Sequence, residues 1–148
     1  MTAAQTITAM RMTTAMPSAY SRKRLWTGRI VTGLAGAFLI LDASMKVLKL
    51  PFVVQSTVQV GYPESTIAGI GLALLVSTML YLIPRTSILG AILLTGYLGG
   101  AVATHVRVSG PWFNVLFPVL FGCFVWGGLY LRDKRLWSVL PGDTTVRY

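Results

Sequence analysis

The chain has 148 residues, 54% hydrophobic and only 11% charged, against about 25% charged in a typical soluble domain. That balance excludes a soluble protein that covers its core with charge, and the length leaves room for one folded unit. Thirteen Lys and Arg against four Asp and Glu give a formal +9, which in a soluble domain would raise nucleic acid as a partner. Here the basic residues flank long apolar runs, where membrane topology and anionic head groups call for them. Membrane lipids are therefore the expected partner, and nucleic acid is not.

Residues 1–24 are rich in Thr, Ala and Met, lack acids and end in Arg22, Lys23 and Arg24. They read as a disordered cytoplasmic tail. A signal peptide shares the pattern of basic residues before an apolar stretch, but Asp42 and Met45 stand where small neutral residues precede a cleavage point. The first apolar run, 25–47, is long enough to cross the hydrocarbon core, with Arg29 placed to snorkel. A mixed segment over 50–62, opened by Pro51 and closed by Gly61, Tyr62 and Pro63, predicts a short interfacial helix.

Further spans are expected over 65–83, 86–105 and 113–131, the second and third joined by so tight a turn at Pro84 and Arg85 that they must be antiparallel neighbours. Gly96, Gly100 and Thr104, and Gly33 with Ala37, follow the small-xxx-small spacing of close helix packing. Pro118 interrupts the last span. Its lone cysteine, Cys123, has no partner for a disulfide or a dithiol site and reads as a small buried apolar residue. Trp26, Tyr81, Trp126, Tyr130 and Trp137 near one set of span ends, with Tyr62 and Trp112 near the other, form the interfacial aromatic belts.

The fold class is thus an all-α membrane protein, a four-transmembrane-helix bundle over 25–140 with a short helix between spans 1 and 2 and a tail over 141–148. With both termini inside, Arg11, Arg22, Lys23, Arg24, Arg29, Arg85, Arg132, Lys134, Arg135 and Arg147 lie on the inner side, against Lys46, Lys49 and Arg107 outside. Ten against three assigns the termini to the cytoplasm of a bacterial-type inner membrane.

The outer ends of the spans hold Asp42, Lys46, Glu64, His105 and Arg107. If the first and third spans are neighbours, Asp42 and His105 lie at similar depth. Asp42 and Lys46, acid first and four apart, form either a self-neutralising helical ion pair or a site where Asp42 takes a proton or holds a ligand head group. The imidazole of His105 suits proton exchange, and the fork of Arg107 suits an oxygen ligand; the bland alternative is that both only mark the helix end. Tyr97 and Trp112 complete the candidate ligand-binding set. No metal-ligand spacing, phosphate loop, dinucleotide fingerprint or nucleophile elbow is present, so the chain reads as an accessory protein more than as an enzyme by itself.

The run Gly96-Tyr97-Leu98-Gly99-Gly100-Ala101-Val102-Ala103-Thr104-His105-Val106-Arg107 resembles the DoxX-like membrane proteins. So do Phe117-Pro118, Trp126-Gly127-Gly128-Leu129-Tyr130-Leu131-Arg132-Asp133, Leu41-Asp42 with Lys46, Leu50-Pro51, Gly61-Tyr62-Pro63 and Tyr81-Leu82-Ile83-Pro84-Arg85. The resemblance spans residues 26–140 and runs through loops as well as apolar segments. It implies a four-helix bundle whose relatives serve quinone-linked sulfur oxidation or membrane oxidoreductase assemblies, and it gives weight to Asp42, Lys46, His105 and Arg107. The expectation is an accessory protein with an outer-leaflet pocket for quinone or lipid and no covalently bound cofactor. Its alternative is a non-catalytic structural subunit packing in a larger membrane complex or homo-oligomer.

Overall fold

A computed structural model describes residues 18–133 and Leu136. Among them are five helices: α1 (Ser18–Val47), α2 (Pro51–Gln59), α3 (Glu64–Leu82), α4 (Ser87–Arg107) and α5 (Trp112–Arg132). All but α2 are long and apolar enough to cross a membrane, and the protein is a multi-pass membrane protein built as a four-helix bundle with one short helix. Helix α1 starts at Ser18 instead of 25. Its 30 residues reach about 45 Å at ~1.5 Å per residue, so the good helix formers Arg22, Lys23 and Arg24 continue the rod beyond an apolar core of about 30 Å. The rest of the expected tail, 1–17, and the segment 141–148 lie outside the described residues.

The four long helices form a ring in which α1 packs on α3 and α5, and α4 packs on the same two. The first and third spans are therefore diagonal, not adjacent. On each helix one stripe faces inward, illustrated in α1 by Gly28, Thr32, Ala35, Leu39 and Ala43, a spacing of three and four. Hydroxyls inside the spans bond back to carbonyls one turn earlier, as Ser44 does to Ile40 and Thr78 to Leu74, which satisfies them without water.

At the end where α1 begins, hereafter the basic end, the helices are locked together around Tyr81. This side chain is fully buried in the core and does not join the interfacial belt. Its hydroxyl donates to the Val125 carbonyl at 2.9 Å and lies 3.3 Å from Thr32 Oγ1. Arg132 donates to the Tyr81 carbonyl and sits 5.0 Å from its ring centroid. Glycines make this approach feasible: a Cβ at Gly28 would lie 2.8 Å from Leu131 Cβ, one at Gly128 would lie 2.7 Å from Thr32 Oγ1, and one at Gly90 would fall on the backbone of Tyr81.

Gly33, Gly96 and Gly100 are expected to pack helices, yet a Cβ at any of the three would meet nothing within 4 Å, so none of them makes a close helix contact among the described residues. Cys123 is likewise exposed on the bundle surface and not buried, because lipid receives an apolar residue as readily as a protein core does.

At the opposite end, α1, α2 and α4 each stop in the same way. The amides of Lys49 and Leu50 bond Lys46 and Met45 carbonyls, those of Gly61 and Tyr62 bond Val58 and Thr57, and those of Ser109 and Gly110 bond Val106 and His105. Each is a Schellman stop with its left-handed residue, Lys49 (φ 50°), Gly61 (φ 94°) or Ser109 (φ 51°). Replacing Gly90 by Val is expected to destabilise the bundle by about 1–3 kcal/mol through backbone displacement, whereas Gly99→Ala, whose Cβ meets open space, leaves it unchanged; thermal unfolding of the two variants in detergent compares them directly.

Candidate functional site

The ring of helices separates at the end away from Tyr81, and a cavity of about 530 Å³ opens there, well within the range of small-molecule sites, about 300–1,000 Å³. One wall is aromatic. Phe113, Phe117 and Phe121 rise along one face of α5 at intervals of four, with Phe38 of α1 packed on Phe117 and Phe121 at centroid distances of 5.6 and 4.5 Å. A second wall is bare: Gly96, Gly100 and Ala101 of α4 line the cavity, and a Cβ on either glycine would meet no atom within 4 Å. These glycines hollow the chamber.

Asp42 and Lys46 line it from α1, joined in an ion pair with side chains 28% and 17% exposed. Their position is set from behind. A Cβ at Gly71 of α3 would lie 2.8 Å from Lys46 Cβ, so the absence of that methyl lets α1 press against α3 with the Lys46 stem in the seam. Tyr97 and His105 line the cavity from α4. Asp42 and His105 thus share one chamber from diagonal helices, an arrangement the sequence frames only in terms of neighbours.

Helix α2 crosses this end as a strap and adds Ser56, Thr57 and Val60 to the lining. Its far end is tied to α4 twice: Arg107 Nη2 donates to the Val60 carbonyl at 2.9 Å, and the Tyr62 hydroxyl lies 3.0 Å from Thr104 Oγ1. Lys49 and Glu64, 3.7 Å apart, link the flanking turns. Of the six residues singled out from sequence, Asp42, Lys46, Tyr97 and His105 line the cavity. Arg107 does not, being engaged with the strap, and Trp112 is 82% exposed outside the lining.

Asn114 is a lining residue that the sequence reading missed. It is the single asparagine of the chain, set in the first turn of an apolar span and four residues before Pro118, and that isolation was the available signal. Pro118 has no N–H to give the Asn114 carbonyl.

An apolar chamber inside a membrane bundle, with a few polar side chains gathered near one end, defines a small multi-pass membrane protein with a cavity between its helices. The model of the DoxX-like family matches residues 30–128, which includes every cavity residue named above, and the chain belongs to that family. Comparisons with curated proteins and with solved structures find no match.

Two outcomes test this geometry. Gly100→Leu is expected to fill the chamber at little cost to thermal stability, since the new side chain enters open space, and a hydrophobic fluorophore that partitions into the parent cavity then loses its signal. Arg107→Ala is expected to free the strap, raising amide hydrogen exchange over 57–62 by about tenfold, as loss of a ~1–1.5 kcal/mol hydrogen bond predicts, with the Tyr81 region unchanged.

Proposed function

We propose that this DoxX-like protein is an accessory membrane protein that holds a quinone-like or other lipophilic ligand in the cavity at the end away from Tyr81. The observation that carries this reading is the chamber itself, a slot between phenylalanine rings and bare glycine backbone that ends in acid, base and hydroxyl groups. Rings stack favourably in an offset or tilted manner against aromatic walls. Asp42 and His105 exchange protons with the ligand head, Lys46 orients a ligand oxygen through the donors Asp42 leaves it, and Arg107 holds the strap closed above them. Electrons for any redox step come from a partner protein.

The orientation belongs to the same proposal. Among the described residues Arg22, Lys23, Arg24, Arg29, Arg85 and Arg132 lie at the basic end, against Lys46, Lys49 and Arg107 at the cavity end. The excess supports cytoplasmic termini in a bacterial-type inner membrane, with the chamber in the outer leaflet.

A second reading, a structural subunit of a larger complex or homo-oligomer, draws support from Gly33 and Ala37, exposed four residues apart on the outer face of α1. One preparation separates the two. The protein is purified gently from its native membrane, and its lipids, quinones and protein partners are identified by mass spectrometry. A stoichiometric quinone that falls about tenfold in His105→Ala, a loss of ~1.4 kcal/mol, supports the ligand reading. A stoichiometric protein partner with no such ligand replaces it with the structural one.

A further inference from the structure

The polar groups around the cavity fall into two sets. In the first, the side chains are already engaged within the protein: Asp42 and Lys46 neutralise each other, Ser56 and Thr57 donate to the Val53 carbonyl at 3.0 and 2.7 Å, and Tyr62 pairs with Thr104. In the second, the Tyr97 hydroxyl, the His105 imidazole and the Asn114 carboxamide line the cavity with no side-chain hydrogen-bond partner among the described residues. All three of these can both donate and accept while uncharged.

This division has a consequence for ligand charge. An anionic head entering the chamber must give up its hydration, and Lys46, the one cation in the lining, is already matched by a carboxylate one turn away that repels the newcomer. A cationic head meets the mirror-image difficulty at Asp42. An uncharged head exchanges its hydrogen bonds to water for bonds to Tyr97, His105 and Asn114 and meets no charge penalty. Asn114 is best placed to read such a head. Phe113 and Phe117 line the cavity beside it on α5.

We infer that the cavity selects lipophiles with an uncharged, hydrogen-bonding head over fatty acids and other charged amphiphiles, and that Asn114 and Tyr97 are the residues that read this head. The inference rests on the proposal that the cavity holds a lipophilic ligand.

The test uses the full-length protein in membranes at about pH 8, where the carboxylate of the second probe is ionised. Two photoreactive probes share one medium-chain diazirine tail; the first ends in a primary alcohol and the second in a carboxylate. Labelling of cavity peptides from α4 and α5 is mapped by mass spectrometry and normalised to labelling on the lipid-facing side of α1, which corrects for partitioning. The alcohol probe is expected to label the cavity about tenfold more than the carboxylate, a preference of ~1.4 kcal/mol. Asn114→Leu and, independently, the minimal change Tyr97→Phe each reduce that preference by several-fold.

Equal cavity labelling by both probes overturns the charge selectivity and leaves the ligand reading in place. A preference retained in both variants overturns the role given to Asn114 and Tyr97. Failure of both probes to label the cavity above the α1 reference overturns this inference and the ligand reading together.

Discussion

The bundle depends on one residue, Tyr81, because it is the place where all four long helices meet. It belongs to α3; its side chain bonds α5 through the Val125 carbonyl and approaches α1 through Thr32, and its main chain lies against the bare backbone of Gly90 in α4. Between helices in lipid the hydrophobic effect offers little discrimination, since tails are as apolar as leucine, and association relies on close packing and interhelical hydrogen bonds. Tyr81 supplies both at one depth. With Gly28, Gly90 and Gly128 removing the side chains that would hold the rods apart, the basic end is drawn tight.

Four stiff rods drawn together at one end need filler at the other, and here the filler is uneven. Phenylalanines crowd one side of the cavity end, while Gly96 and Gly100 leave the facing stretch of α4 bare. The same residue type therefore does opposite things along one chain: where a neighbouring backbone lies within reach, a missing Cβ brings helices together, and where none does, it makes space. The strap then limits the opening. It is held through its carbonyl and a hydroxyl at the Val60 to Tyr62 end and packs otherwise on α3 and α1.

What the sequence made legible follows from this contrast. Span number, loop positions and the short helix at Pro51 are set by hydropathy and by Pro and Gly punctuation, all local properties of the chain, and their edges agree with the helices to within a few residues except at Ser18. The Asp42–Lys46 pair was also legible, since a separation of four fixes it on one helix face. Ring order was not. No local feature of α1 or α4 says that they are diagonal, and so none says which glycine meets a backbone, a cavity or lipid. Cys123 illustrates the same blindness: hydropathy measures the preference to leave water, and both a packed interior and a lipid tail satisfy it equally. Tyr81 was read as interfacial because tyrosine near a span end usually is, and only the carbonyl of Val125, contributed from 44 positions away, makes it a core residue.

The two readings of Asp42, ion pair and ligand group, are not exclusive once the cavity is considered. A lone carboxylate in a span costs several kcal/mol, and a partner on another helix would tie its position to the ring geometry at the cavity end of the bundle. A partner four residues along the same helix makes the pair independent of how far the helices separate there. The pair therefore lies wholly on α1, with the Lys46 stem held in the seam against Gly71. The pair borders the cavity as a local dipole, beside the polar side chains of Tyr97 and His105 on α4 and Asn114 on α5.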